Sequence, residues 1–240
     1  MTDLVFLTGA GISAESGLAT FRGEGGLWEE DEDLRALCSA EGLAAQPSNV
    51  HAFYDARRAQ LREVAPNPAH VALAQLQERW IREARGTFTL ATMNSDDLHE
   101  RAGSREVLHL HGTLFAALCA ECGNRVGWEG ELPVREDCPA CDAPALRPDV
   151  VLFGETPRHR HALEALATKA DIFIAIGTSA SVHPAARLIG LARANGAVTI
   201  EVNPAPTGTA DILHVLCGPA SEEVPRLVRD LLAGAHAVPF

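Results

Sequence analysis

Four of the six cysteines fall in two close pairs, Cys119-x-x-Cys122 and Cys138-x-x-Cys141, with fifteen residues between the pairs. Four thiolates at this spacing make a closed tetrahedral site for one zinc ion. Such a site has no open position for water, so its metal folds the surrounding chain and takes no part in chemistry. The competing reading is four buried, unligated cysteines. Cys38 and Cys217 stand apart and are expected to be buried. A histidine follows an apolar run in Leu110-His111-Gly112. An imidazole near its neutral pKa is a good general base, and the following glycine permits close approach of another chain segment. Neighbouring His99 and His109 occupy no comparable position.

Thr8-Gly9-Ala10-Gly11-Ile12-Ser13-Ala14-Glu15 follows an apolar run and should lead into a helix. Gly9, Gly11 and Ala14 form G-x-G-x-x-A, a variant of the dinucleotide fingerprint, in which backbone N–H groups and a helix N-terminus face a pyrophosphate. A tight strand–helix turn requires glycine in any case. The acidic residue that usually follows about 20 positions later falls in Glu24–Asp33, which reads as a loop, so an ordinary dehydrogenase is disfavoured. The motif continues through Phe21-Arg22-Gly23 to Trp28. A second polar cluster, Met93-Asn94-Ser95-Asp96, ends another apolar run, where side chains can meet a ligand or simply cap a turn.

Later segments are Arg147-Pro148-Asp149 through Phe153-Gly154-Glu155, Gly177-Thr178-Ser179 with Val182-His183-Pro184, and Asn203-Pro204 followed by Gly218-Pro219-Ala220. In this order, from Gly9 to about Pro225, the motifs resemble the sirtuin family of NAD-dependent protein deacylases. The resemblance implies roles for particular residues. Gly9, Ala10, Gly11, Ala14, Glu15, Phe21, Arg22 and Trp28 would bind NAD, together with Met93, Asn94, Asp96, Gly177, Thr178, Ser179, Asn203 and Ala220. Phe21 would shield the nicotinamide ribose. Asn94 would position the ribose and a water, Asp96 would hold the nicotinamide carboxamide, and His111 would be the catalytic base. An acyl-lysine peptide would add as a strand between Phe153-Gly154-Glu155 and Val182. The implied products are free lysine, nicotinamide and 2′-O-acyl-ADP-ribose. The family segment typically runs T-Q-N-[IV]-D, so Met93 and Ser95 depart from it. They keep an ADP-ribosyltransferase or NAD glycohydrolase on the same scaffold as the alternative.

Tyr54 and Arg57, three apart on a helix, share a face. In an anonymous protein they would be surface residues. Within the family they resemble the succinyl- and malonyl-preferring class, where a guanidinium fork and a phenol match a distal carboxylate.

The elements that must carry these residues are apolar runs at Leu4–Thr8, Phe88–Thr92, Val107–Leu110, Asp171–Ile176 and Val198–Val202. Between them lie helical patterns opened by Pro68, Pro184 and Ser221. This alternation predicts an α/β fold, a doubly wound Rossmann-like parallel sheet with a small inserted zinc-binding module. Residues 1–24, 67–118 and 149–240 are expected to form the NAD domain. Residues 25–66 would be a helical insertion at the cofactor and acyl pocket, and 119–148 the zinc module. The 240 residues, 47% hydrophobic, suffice for one large core. A net charge of −12 argues against nucleic-acid or membrane partners and suits a basic peptide. The N-terminus shows no signal peptide and no apolar run is long enough to span a bilayer, so a cytoplasmic enzyme is expected.

Overall fold

The computed structural model describes residues 1–20, 32–179 and 184–234. The chain opens with β1 (Leu4–Thr8) and a single turn, α1 (Gly11–Ala14). Among the described residues, four helices lead to the next strand: α2 (Glu32–Leu37), α3 (Ala40–Ala45), α4 (Pro47–Glu63) and α5 (Pro68–Arg82). Then come β2 (Phe88–Thr92), α6 (Leu98–Arg101), β3 (Leu108–His109), β4 (Gly112–Cys119), β5 (Arg125–Gly127) and β6 (Leu146–Val150). The remainder is α7 (Arg160–Lys169), β7 (Ile172–Ile176), α8 (Ala185–Ala194), β8 (Val198–Val202), β9 (His214–Leu216) and α9 (Ala220–Ala233).

Six strands form one parallel sheet in the order β3-β2-β1-β7-β8-β9. Its central strands are apolar on both faces because helices cover both. Side chains alternate along each strand. Leu4 and Phe6 join Ile172, Ile174 and Ile176 against α5 and α9. Val5 and Leu7 join Phe173 and Ala175 against α7 and α8. Asn67 opens α5 with a capping box: its side chain accepts from Ala69 N, and its own N–H donates to His70 Nδ1. The expected fold is thus the observed one. Strand β9 was not anticipated, and it leaves Cys217 exposed at the sheet edge, contrary to expectation.

The paired cysteines sit on a separate antiparallel sheet, β5-β4-β6. It begins at Gly112, directly after His111. Gly112 has φ +80°, and a Cβ there would lie 2.0 Å from Asp149 O. Only glycine lets the chain pass from the His111 corner into this sheet. Among the described residues, no helix is long and apolar enough to cross a membrane.

Candidate functional site

The strand order reverses between β1 and β7, and the crevice beyond their carboxyl ends is where doubly wound sheets bind ligands. Two glycine turns meet there. A Cβ on Gly9 would lie 2.7 Å from Gly177 O, and one on Gly11 would lie 2.6 Å from Gly177 Cα. Gly177 itself has φ +59°. Gly11 N donates to Gly177 O at 2.9 Å, Ile12 N to Gly9 O and Ser13 N to Ala10 O. The glycines therefore first serve to seat one loop on the other. The motif leads into a helix, as expected, and that helix, α1, is a single turn. Ala10 lines the resulting cleft with Ser13, Asn94, Ser95, Asp96 and Arg57.

The cleft floor is a connected polar network. Ser13 Oγ donates to Asp96 Oδ2 at 3.0 Å and accepts from Asn94 Nδ2 at 3.1 Å. Asn94 Nδ2 also reaches Gly9 O at 3.2 Å. His70 Nδ1 accepts from Asn67 N, which leaves its Nε2–H to face Ser13 Oγ at 3.4 Å. Leu98 N donates to Asp96 Oδ1 at 3.1 Å. Both carboxylate oxygens are thereby oriented, although burial pushes the Asp96 pKa up against these hydrogen bonds. Burial pushes His70 down to about 4 and His99 well below its usual range, so both are neutral imidazoles. Burial also works against charge on His109, but hydrogen bonding and attraction from Glu100 outweigh it and raise its pKa.

His111 stands at the corner between β3 and β4. Its Nδ1–H donates to Met93 O at 2.8 Å, which assigns the lone pair to Nε2. The contact uses the backbone of Met93, so it does not depend on the side chain there. That side chain packs against the apolar cluster beneath α7 and α8.

On the β7 side, Thr178 is 4% exposed and its Oγ1 is buried without a hydrogen-bond partner among the described residues. Asn203 Nδ2 donates to Thr178 O at 3.0 Å and holds this turn. Glu15 accepts from Ser221 N and Oγ at 2.8 and 2.9 Å, just after Ala220. It is committed to the start of α9. An orphaned hydroxyl beside a glycine turn that a side chain cannot enter fits a hydroxyl-rich cofactor.

Helix α4 forms the opposite wall. Tyr54 packs beside Leu61 and Leu114, and Arg57 lines the cleft with its Nη1 on Gln60 Oε1 at 2.8 Å. Burial pushes the Tyr54 phenol well up, reinforced by its contact with the Cys38 thiol. Phe153 N and O are taken by Cys38 O and Ala40 N, on the insertion side. Gly154, at φ +91°, has open space where a Cβ would stand. Glu155 accepts from Arg147 Nη2 at 2.8 Å and from Leu152 N at 2.9 Å, closing the turn.

The four paired cysteines converge. All four Sγ atoms lie within 4.8 Å of one another, and Cys119–Cys141 and Cys122–Cys138 are each 3.7 Å apart. Sulfurs on a tetrahedral zinc with bonds of about 2.3 Å lie about 3.8 Å apart. The set is positioned for one structural zinc.

The Sir2 family model matches residues 9–184. The chain is 44% identical, over 96% of its length and 97% of the relative's, to an NAD-dependent protein deacylase of Bdellovibrio bacteriovorus. It is 45% identical, over 98% of its length and 84% of the relative's, to an NAD-dependent protein deacylase of Escherichia coli. A mutant Sir2 homologue solved with ADP-ribose superposes with a TM-score of 0.85 at 38% identity, covering 99% of this chain and 94% of that one. The chain belongs to the Sir2 family.

For a Sir2 protein, the structure brings together Gly9, Ala10, Gly11, Asn94, Asp96, His111, Gly177 and Thr178 around one crevice, with Arg57 on its wall and Tyr54 packed beside Leu61 and Leu114 of that wall. Phe21, Arg22, Trp28 and Val182 lie outside the described residues. Ser13 and His70 went unremarked in the sequence as site residues, yet Ser13 joins Asn94 to Asp96. The signal for Ser13 was its place in the glycine motif. His70 offered only its place in a helix cap.

Proposed function

We propose that this Sir2 protein is an NAD-dependent protein-lysine deacylase that favours acidic acyl groups such as succinyl and malonyl. The observation that carries the deacylase reading is the His111 corner: a histidine with Nδ1 fixed and Nε2 basic, beside the crevice that Asn94 and Asp96 floor. NAD, when bound, supplies a ribose carbon activated by its nicotinamide leaving group and a ribose hydroxyl that receives the acyl group. Asp96, with its carboxylate aligned by Ser13 and Leu98 N, is suited to hold a carboxamide N–H. Asn94 orients the ribose with the oxygen of its amide, since its Nδ2 is held by Gly9 O and Ser13. Thr178 Oγ1, left without a partner among the described residues, would hydrogen-bond the cofactor. His111 Nε2 takes the proton of the ribose hydroxyl, its imidazolium stabilised through Met93 O. Phe21, Arg22, Trp28, Met93, Ser179 and Ala220 complete the cofactor set, and Phe153, Gly154, Glu155 and Val182 the peptide cleft.

The acidic-acyl preference rests on Arg57, a guanidinium inside a half-buried cleft whose charge burial disfavours. A carboxylate at the end of the acyl chain would add a hydrogen-bonded partner to the attraction that Asp96 already exerts on this guanidinium. Tyr54, kept as a neutral phenol, can donate to the same carboxylate. Departures at Met93 and Ser95 keep an ADP-ribosyltransferase or NAD glycohydrolase as the rival reading. Nicotinamide release with and without an acyl-lysine peptide separates the two. Release that requires the peptide, faster with succinyl- than acetyl-lysine, supports the reading; equal release without peptide refutes it.

A further inference from the structure

Helix α4 carries two sets of side chains. Arg57 and Leu61 line the cleft, with Tyr54 packed beside them. His51, Asp55 and Arg58, at i, i+4 and i+7, bind instead to the β4 sheet and the loop before the second cysteine pair. Leu132 is where they meet. Its N–H donates to both Asp55 carboxylate oxygens at 3.1 Å, and its carbonyl accepts from His51 Nδ1 at 2.8 Å. Its side chain is buried in one cluster with Cys119 and Cys138. Arg58 is 1% exposed, with Nη1 on Asp55 Oδ1 at 2.5 Å and on Gly130 O at 2.7 Å. Its Nε donates to Leu114 O at 2.6 Å. Leu114 in turn lines the cleft and donates its N–H to Ser95 O at 2.9 Å.

A guanidinium buried this deeply is costly unless charge and hydrogen bonds meet it; Nη2 has no partner among the described residues, so the partners of Nη1 and Nε are what fix where the helix stands. A salt bridge on the surface would impose no such constraint. We propose that His51, Asp55 and Arg58 are positioning residues: through Leu132, Gly130 and Leu114 they hold α4 in the register that aims Tyr54 and Arg57 at the acyl chain. Acyl selectivity then depends on the packing of the cysteine module as well as on the two residues that touch the acyl group. This inference rests on the acidic-acyl reading above.

The test compares kcat and KM for succinyl- and acetyl-lysine peptides in the full chain. Asp55→Asn keeps the size of the side chain but leaves Arg58 unbalanced. The ratio of succinyl to acetyl kcat/KM should fall about tenfold, chiefly through succinyl KM, as expected for one displaced charge-assisted hydrogen bond. Arg58→Lys keeps the charge without the fork and should lower the ratio as well. Should Asp55→Asn prove unstable, His51→Gln strands no buried charge and should shift the ratio in the same direction, about threefold, as the loss of one neutral bond. Arg57→Met is measured alongside. A collapsed ratio in Arg57→Met with unchanged ratios in the folded α4 variants overturns the positioning role alone. Parallel loss on both peptides, with the ratio kept, also overturns it. An unchanged ratio in Arg57→Met overturns the acidic-acyl reading and this inference with it.

Discussion

The cysteine module and the cleft floor both gather polar side chains from several elements, but they are completed in opposite ways. In the module, four thiols stand at metal-ligand separations and meet one another only through weak Sγ–Sγ contacts of 3.7 Å. A cation must complete them. In the floor, Asn94, Ser13, Asp96 and His70 are already joined donor to acceptor, with Thr178 Oγ1 left over. The module is therefore expected to need its ligand in order to fold. The floor folds without a ligand and presents what remains to one.

Removing the metal should therefore have the largest effect. Metal analysis should return one zinc per chain. Cys119→Ser or Cys138→Ser should give unfolded or insoluble protein, since structural zinc in small modules contributes on the order of 10 kcal/mol. Zinc-free protein with an unaltered melting curve would remove the contrast between the two regions. Next in size, His111→Ala should leave folding and NAD binding intact while deacylation falls by about 10²–10⁴-fold, the usual contribution of a general base. Turnover close to that of the parent would show that the floor works without this corner.

Acid should strain the floor before the module. His70 is buried with its pKa depressed to about 4 from 6.5, and His99 shifts in the same direction. The unfolded chain thus binds more protons below the ordinary histidine pKa, and stability is lost as pH falls from about 6.5 towards 4. The loss from His70 alone is on the order of 3 kcal/mol. Denaturant midpoints across this window should fall more steeply in the parent than in His70→Gln; parallel slopes would assign the acid sensitivity elsewhere.

The two regions also differ in how openly the sequence announced them. Cys119 to Cys141 is a local pattern, so spacing alone disclosed the ligand set. Asn94, His111 and Gly177 meet only because β1, β2, β3 and β7 are neighbours in the sheet, and family resemblance supplied what spacing did not. The central strands were legible because Leu4–Thr8 and Ile172–Ile176 are buried on both faces. β9 was not, being three residues long and partly exposed at the edge. α4 hid its length for a different reason. Its buried residues include His51 and Arg58 beside Val50 and Leu61, so no apolar stripe marks the face that packs. For Cys217, burial was expected from residue type, and the exposed β9 edge overruled it.

Smaller effects test the walls of the cleft. Arg57→Met should reduce succinyl-lysine turnover relative to acetyl-lysine by about 1.5–3 kcal/mol, the range for a hydrogen bond to a charged group. Indifference to this change, measured as kcat/KM on both peptides, would leave the α4 wall without a part in acyl choice. Smallest is the pair Met93→Gln with Ser95→Val. A restored ribose hydrogen bond and a better-packed pocket should raise deacylation by up to about tenfold. His111 should be unaffected, because it holds the Met93 carbonyl and not the side chain. No gain in kcat/KM would make both positions neutral.

The most direct test of the deacylase reading is the product mixture from NAD and a succinyl-lysine peptide, resolved by mass spectrometry. The account predicts nicotinamide, unmodified lysine peptide and succinyl-ADP-ribose in equal amounts. Free ADP-ribose, or ADP-ribose attached to protein, with the peptide still succinylated, would contradict it.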